Sequence, residues 1–181
     1  SLGADAIYLS GNSHLTITGP VSIDKVEAKG KFATGISSQG QGNEVLIEGP
    51  LTIKNVKSLS GSANGNSVSG ILLAGERSKV TVTGPVDISG VEGSSLKTLR
   101  ADTEISIGGG TITAAKDADH SKHYYAAKVD KGTININMKD GKAGDTKTQI
   151  TGDLYATGQY GKRVVEYSGG QLVDWADAGV S

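Results

Sequence analysis

The sequence predicts an all-β fold of the parallel β-helix (β-solenoid) type, with about five to six coils and three strands in each coil. Three observations predict it. The 181-residue chain repeats a segment of about 30 residues, its apolar residues alternate with polar ones, and no stretch has a sustained helical period. A repeat of this size cannot bury its apolar face alone, so successive copies are expected to stack.

The repeat is marked by the three prolines, each of which follows a glycine. Around each Gly-Pro pair, at 19–20, 49–50 and 84–85, aliphatic residues occur at the same offsets. Proline lacks an N–H group and cannot lie inside a central strand, so each pair predicts a corner between strands. The three copies contain Leu15, Ile17, Val21, Ile23 and Val26; Val45, Ile47, Leu51, Ile53 and Val56; and Val80, Val82, Val86, Ile88 and Val91.

The pattern continues in weaker form toward the C-terminus. The fourth copy has three glycines, at 108–110, where the Gly-Pro corner would be. Equivalent residues of successive copies are expected to lie above one another, as in a ladder of Ile17, Ile47, Val82, Ile107 and Ile136. The later copies are assigned as Ile105, Ile107 and Ile112 (fourth), Ile134, Ile136 and Met138 (fifth), and Ile150, Leu154, Val164, Val165 and Leu172 (sixth).

Apolar and polar residues alternate within each copy, for example in Leu-Thr-Ile-Thr at 15–18 and Val-Thr-Val-Thr at 80–83. Alternation with period two places one face of a strand inward and the other in water. The aliphatic residues are therefore predicted to fill the interior and the threonines to lie outside.

Composition excludes several classes of function. The formal net charge is −1, which argues against a nucleic-acid or anionic-membrane partner, because both need a basic surface. The chain has no cysteine, which excludes disulfides, thiolate metal sites and cysteine nucleophiles. No apolar run approaches the roughly 20 residues of a membrane helix. No cofactor is predicted.

The sequence contains no recognisable catalytic motif, and the chain is predicted not to be an enzyme. Asp117 and Asp119 could supply the two carboxylates of a polysaccharide hydrolase, but they lie in a polar loop. A lyase could use Lys97, Arg100 and Asp102. We favour a solvated outer face for these three residues, because mixed charges are ordinary on exposed strands.

Two variable segments are the candidate contact sites, the Gly/Ser-rich loop at 57–69 and the segment at 116–125. Two histidines three residues apart in the second segment raise the possibility of zinc, but a loop gives no reason for its ligands to converge, so no metal is predicted. Two adjacent tyrosines follow, and in a strand one of them must point outward. The predicted ligand or partner contacts are His120, His123, Tyr124, Tyr125, Asn64 and Asn66.

The copies resemble the passenger regions of bacterial autotransporter adhesins. The resemblance is carried by Leu-Thr-Ile-Thr-Gly-Pro-Val-Ser-Ile at 15–23, by Gly-Ile pairs at 35–36 and 70–71, and by Gln-Ile-Thr-Gly-Asp-Leu-Tyr-Ala at 149–156. It covers most of the chain. It implies a right-handed three-sided β-helix, export to the bacterial cell surface through the outer membrane by a C-terminal barrel outside this chain, and attachment, aggregation or biofilm formation as the activity. It assigns no functional residue.

The expected partners are a host glycan, a host surface protein or another copy of the chain. Two alternatives stay open, a polysaccharide lyase or hydrolase of the same fold and a passive stalk of a larger surface protein. Residues 1–181 are expected to form a single β-solenoid segment of a longer rod, because stacked coils expose strand edges at both ends. The stretch at 171–181 is expected either to cap one end or to begin a further coil.

Overall fold

The computed structural model describes residues 3–60, 63, 67–117, 122–137 and 148–156, and the backbone of four short strands beyond them. In this part of the chain all regular elements are β-strands. In chain order they are β1 (Ala4–Leu9), β2 (His14–Ile17), β3 (Val21–Ala28), β4 (Ala33–Ser38), β5 (Glu44–Ile47), β6 (Leu51–Ser58), β7 (Val68–Leu73), β8 (Lys79–Val82), β9 (Val86–Val91), β10 (Ser94–Thr98), β11 (Glu104–Ile107), β12 (Gly110–Thr113), β13 (Tyr125–Val129), β14 (Gly132–Ile136), β15 (Gln149–Thr151), β16 (Asp153–Ala156), β17 (Gln159–Tyr160), β18 (Glu166–Tyr167), β19 (Gly170–Asp174) and β20 (Gly179–Val180).

The strands form three sheets, which we name A, B and C. Sheet A has the order β1-β4-β7-β10-β13-β16-β17, sheet B the order β2-β5-β8-β11-β14-β19-β18, and sheet C the order β3-β6-β9-β12-β15-β20. Each run of three strands from β1 to β15 visits the three sheets once, which makes five complete coils. One further parallel strand extends each sheet: β16 in sheet A, β19 in sheet B and β20 in sheet C. The predicted three-sided parallel β-helix is confirmed.

The interior is built from ladders of like residues. The register pairs Ile17, Ile47, Val82, Ile107 and Ile136 in sheet B, as predicted. Sheet C holds a second ladder of Ile23, Ile53, Ile88, Ile112 and Ile150. From the second coil onward these side chains are at most 1% exposed. Each fully buried aliphatic side chain contributes about 1.5–3 kcal/mol, so the ladders supply most of the gross stabilisation.

The assignment of Ile150 to the sixth copy is wrong. Ile150 lies in β15, next to Ile112, and so belongs to the third side of the fifth coil. Leu154, in β16, instead pairs with Ala127 and begins the next turn of the chain. The cause is a long connection between β14 and β15, which displaces the fifth coil's third strand from its expected spacing. Met138, Val164 and Val165 of the predicted copies lie outside the described residues.

The Gly-Pro pairs form the corner between sheets B and C and stack on one another. Val21 N donates to Pro50 O at 2.8 Å and Leu51 N to Pro85 O at 3.0 Å. A Cβ atom on Gly84 would collide with the Gly49 carbonyl group, so the close approach of the corners requires glycine there. In the fourth coil, Gly109 O accepts from Val86 N, which confirms the glycine run as the replacement corner.

A buried asparagine, which sequence reasoning did not select, holds the corner between sheets A and B. Asn43 is fully buried, and its Nδ2 donates to Ser38 Oγ and Gly40 O, both at 2.9 Å. Its Oδ1 accepts from the backbone N of Ser13 in the coil before it, and its own backbone N donates to Ser78 Oγ in the coil after it. The side chain and backbone N of this one residue therefore satisfy polar groups of three successive coils, as burial of such groups demands.

Candidate functional site

The outer face of sheet A carries a line of side chains whose chemistry changes along the stack. We name this line the outer column; each member is the register partner of the next, about 4.8 Å away. Its members, from the first coil onward, are Tyr8, Ser37, Leu72, Lys97, Lys128 and Tyr155. The column is therefore apolar or hydroxyl-bearing in its first half and cationic, then aromatic, in its second.

Five residues at the second half of this face form what we name the aromatic–lysine cluster: His123, Tyr125, Lys128, Asp153 and Tyr155. Tyr125 and Lys128 belong to β13, while Asp153 and Tyr155 belong to β16. The pairing of these two strands shifts register between Tyr125 and Ala127. In a regular strand, residues three apart point to opposite faces. A β-bulge changes this alternation, and here Tyr125 and Lys128 both lie on the outer face.

The rings of the cluster are in mutual contact. His123 stacks on Tyr125 with the ring centroids 4.5 Å apart and the planes 11° from parallel. Tyr125 and Tyr155 lie 5.7 Å apart at an angle of 53°. His123 Nε2 is 2.7 Å from Asp153 Oδ2, which fixes the orientation of the imidazole ring. The cluster is thus a connected aromatic surface rather than a set of independent side chains.

A lysine ammonium group lies between the two tyrosines. Lys128 Nζ is 5.5 Å from the centroid of the Tyr125 ring and 5.4 Å from that of Tyr155. Both distances are within the range of a cation–π interaction. Asp130 Oδ1 lies 3.8 Å from the same nitrogen. The ammonium group is therefore held at a defined place among two rings and one carboxylate.

Lys97, the next residue of the outer column, is only 3% exposed. The pKa of Lys97 is lowered to about 8, chiefly by burial and also by the positive charge of Lys128, while Asp130 partly offsets both effects. Burial is also the main reason that the pKa of Tyr125 is raised, with Tyr155 and Asp153 adding to the shift. The site consequently combines partly desolvated lysines with aromatic rings.

The structure brings two of the six predicted contact residues together, His123 and Tyr125. Tyr124 instead is 8% exposed and outside the cluster; burial, with the carboxylates of Glu92 and Asp117, raises its pKa. This agrees with the expectation that one of the two tyrosines covers the core. His120, Asn64 and Asn66 lie outside the described residues. Where the structure is described, no group of three or more His, Asp or Glu side chains could hold a metal ion.

Sequence reasoning missed three members of the cluster, Lys128, Asp153 and Tyr155, and the neighbouring Asp130. One signal could have found two of them. Every member of the outer column directly precedes an inward-facing residue of sheet A: Leu9, Ser38, Leu73, Thr98, Val129 and Ala156. Extending the repeat register to this sheet would have placed Lys128 beside Tyr155.

The residues considered for a lyase are separated by the fold. Lys97 lies on the outer face of β10 but is almost fully buried, so the solvated position expected for it is wrong, whereas Arg100 and Asp102 are exposed in the turn that follows the strand. Asp117 accepts a hydrogen bond from Lys122 N at 2.7 Å, and Asp119 lies outside the described residues.

The first half of the same face carries a shallow apolar groove. Tyr8 and Phe32 border it and are 56% and 58% exposed, and Leu72 and Leu99 form part of its lining. Asp5 also lines the groove, and burial raises the pKa of its carboxyl group. None of the described residues that line this groove is a lysine, which distinguishes it from the aromatic–lysine cluster.

Comparison of the chain with protein-family models, curated proteins and solved structures found no match. Among the residues whose structure is described, there is no helix with the length and apolar character needed to cross a membrane.

Proposed function

We propose that this chain is a segment of a bacterial cell-surface adhesin, which attaches to host or partner cells, or to other copies of itself, without catalysis. The β-helix fold supports the proposal because side chains fill its interior and leave binding to the outer faces and the connections between coils. The resemblance of the repeats to autotransporter passenger regions supports export to the extracellular side of the outer membrane. The balanced charge gives no support to a nucleic-acid partner.

The observation that carries the proposal is the aromatic–lysine cluster on sheet A. Aromatic rings stack on the C–H faces of sugars, and charged side chains next to them hydrogen-bond sugar hydroxyl groups. Tyr125 and Tyr155 supply rings, and Lys128 and Asp153 supply a donor and an acceptor within one strand spacing. Aromatic residues with fixed polar neighbours are typical of binding surfaces. A glycan of the partner cell is therefore the ligand class we propose.

Beads coated with the purified chain test the proposal directly. We expect the coated beads to bind cells or to clump, and the double variant Tyr125→Ala/Tyr155→Ala to reduce this at least fivefold. Tyr8→Ala is the matched control, because Tyr8 occupies the other end of the same outer column. Circular dichroism should show the same β content in all three proteins.

Two results would contradict the proposal. Wild-type beads that neither bind cells nor clump more than beads coated with an unrelated protein would favour the passive stalk. Adhesion that the double variant retains in full would remove the aromatic–lysine cluster as its cause.

One observation favours a second candidate function, a polysaccharide lyase. Lys97 has a pKa of about 8, which would let a neutral amine act as a base near neutral pH. Its 3% exposure argues against direct contact with a substrate. Incubation with acidic polysaccharides, followed by ultraviolet absorbance of unsaturated chain ends, separates the two functions. The adhesin proposal expects no absorbance increase, and an increase abolished by Lys97→Met would establish the lyase.

A further inference from the structure

The two ends of the β-helix differ in how their strands are paired. Within the described residues, β1, β2 and β3 pair only with strands of the second coil, so the other edge of each is open. We name this side of the first coil the open end. At the other end, β17 and β18 pair antiparallel with β16 and β19 and occupy their edges in sheets A and B. A further parallel turn would therefore find three free strand edges only at the open end.

The inward-facing side chains of the first coil are less buried than their counterparts in the second. Leu15 and Ile17 are partly exposed, whereas their register partners Val45 and Ile47 are 2% and 0% exposed. The ladders of the interior thus end in aliphatic side chains that still contact water at the open end. Another layer of aliphatic residues would remove this apolar surface from water, which is favourable.

Gly19 is a glycine that the described coils do not require. Its φ angle is not in the left-handed region, and nothing lies within 4 Å of the position that its Cβ would take. In the next two corners, a Cβ on Gly49 would lie 2.4 Å from Gly19 O, and one on Gly84 would lie 2.3 Å from Gly49 O. The missing Cβ therefore points toward the preceding coil in each corner, and at Gly19 it points out of the open end. Glycine is needed there only if another backbone approaches it as closely.

We infer that the open end is an interface for one further turn of the same repeat, stacked in parallel register. This turn places aliphatic residues over Leu15, Ile17 and Val21 and its corner backbone against Gly19. A second copy of the chain that presents its own first coil fits less well. Its strands would run antiparallel to β1, β2 and β3, so the register that aligns successive corners would be lost.

The amide of Thr16 can report whether the open end is covered. Ser13 O and Ile17 O accept hydrogen bonds from Glu44 N and Glu48 N of the second coil. Alternate residues of a parallel strand bond to opposite sides, so the N–H group of Thr16 points to the open edge. Its hydrogen exchange is therefore expected to be fast in the chain alone and slow once a turn stacks on the first coil.

A tandem protein tests the interface by hydrogen exchange measured with NMR. It carries a second copy of residues 4–32 directly ahead of residue 4 of the full chain, which spaces the added turn as Ala4 and Ala33 are spaced. We expect exchange of the Thr16 amide in the original first coil to slow at least about tenfold relative to the unmodified chain.

The position of one alanine provides the matched control. Gly19→Ala in the original first coil should remove most of this protection, because its Cβ would collide with the corner of the added turn. The same substitution in the added turn should leave the protection intact, since that corner now lies at the open end. Circular dichroism of the unmodified chain with Gly19→Ala should show that the substitution alone preserves the fold.

Sedimentation of the unmodified chain tests the competing occupant, and we expect a monomer. Three outcomes would overturn the inference. They are unchanged exchange of Thr16 in the tandem protein, equal effects of the alanine in the two corners, and dimers of the unmodified chain that Gly19→Ala abolishes. The last result would assign the open end to a second copy. None of these measurements involves the aromatic–lysine cluster, so their failure leaves the proposed adhesion through that cluster intact.

Discussion

The interior of the coils and the outer face of sheet A follow opposite rules. Inside, the same residue type recurs coil after coil, as in the ladder from Ile23 to Ile150. Outside, the outer column changes from Tyr8 through a serine and a leucine to two lysines and Tyr155. Interior residues must fill a gap of fixed height, whereas outer residues have no such restriction. In this molecule, residue types that repeat from coil to coil therefore indicate the packed interior, and positions where the residue type changes indicate candidate binding residues.

The largest expected effect is that of a charge placed inside a ladder. Val82→Asp would bury a carboxylate between Ile47 and Ile107, so we expect a loss of at least about 4 kcal/mol or complete unfolding. Thr81→Asp, on the outer side of the same strand, should cost less than about 1 kcal/mol. Urea denaturation monitored by circular dichroism compares the two variants. Similar losses in the free energy of unfolding would contradict the assignment of Val82 to the interior and Thr81 to the outer side.

The stacked corners should respond to a single methyl group. Gly84→Ala would drive a Cβ into the Gly49 carbonyl group, and we expect a loss of about 1–3 kcal/mol. Gly19→Ala is the control, because nothing lies within 4 Å of the corresponding Cβ in the first coil. Thermal unfolding of both variants measures the difference. A destabilisation of Gly19→Ala equal to that of Gly84→Ala would mean that close stacking is not the cause.

Lys97 should make stability depend on pH in the alkaline range. Its pKa is about 8 in the folded chain and about 10.4 when unfolded, so between these values the unfolded state binds more protons and stability rises with pH. Lys97→Met removes this contribution. We expect the variant to be more stable than wild type by about 1–2 kcal/mol at pH 7, with the gain shrinking toward pH 10. Denaturant unfolding of both proteins at pH 7 and at pH 10 measures this gain. A difference in stability between wild type and variant that is the same at both pH values would contradict the prediction.

An exposed contact between a histidine and a carboxylate should matter least. His14 and Glu44 lie 3.3 Å apart in sheet B with side chains 68% and 60% exposed. Solvent screens such pairs, so His14→Ala should change the free energy of unfolding by less than about 0.5 kcal/mol. Denaturation at low and high salt measures it. A larger effect would show that side chains on the outer face of sheet B also contribute to the stability of the fold.

The sequence alone predicts most of the interior because stacking demands like residues at matching positions, and Ile17, Ile47 and Val82 meet that demand visibly. It mislocates Ile150, since the connection after β14 is longer than in earlier coils and no fixed spacing applies. The site is harder to predict for the same reason. Outer-column neighbours lie between 25 and 35 residues apart, so Lys128 and Tyr155 meet only once the register of sheet A is known.

The buried asparagine between sheets A and B shows a second limit of the repeat. Asn43 has Ser13 and Ser78 as its hydrogen-bonding partners in the coils on either side. Its position is set by unpaired backbone groups at a corner, and such groups leave no trace in an apolar pattern. Polar corners and outer-face clusters therefore both escape a search that follows aliphatic residues.

In the described part of the chain each coil pairs in parallel with the coil before it and the coil after it, and this has a mechanical consequence. A chain that enters a new compartment one end first can add each turn to the turn already formed, without waiting for distant segments. Under tension applied to its ends, the chain would unfold one coil at a time rather than in a single cooperative step. Force spectroscopy should then record a regular series of extension steps, each releasing roughly one repeat length of polypeptide.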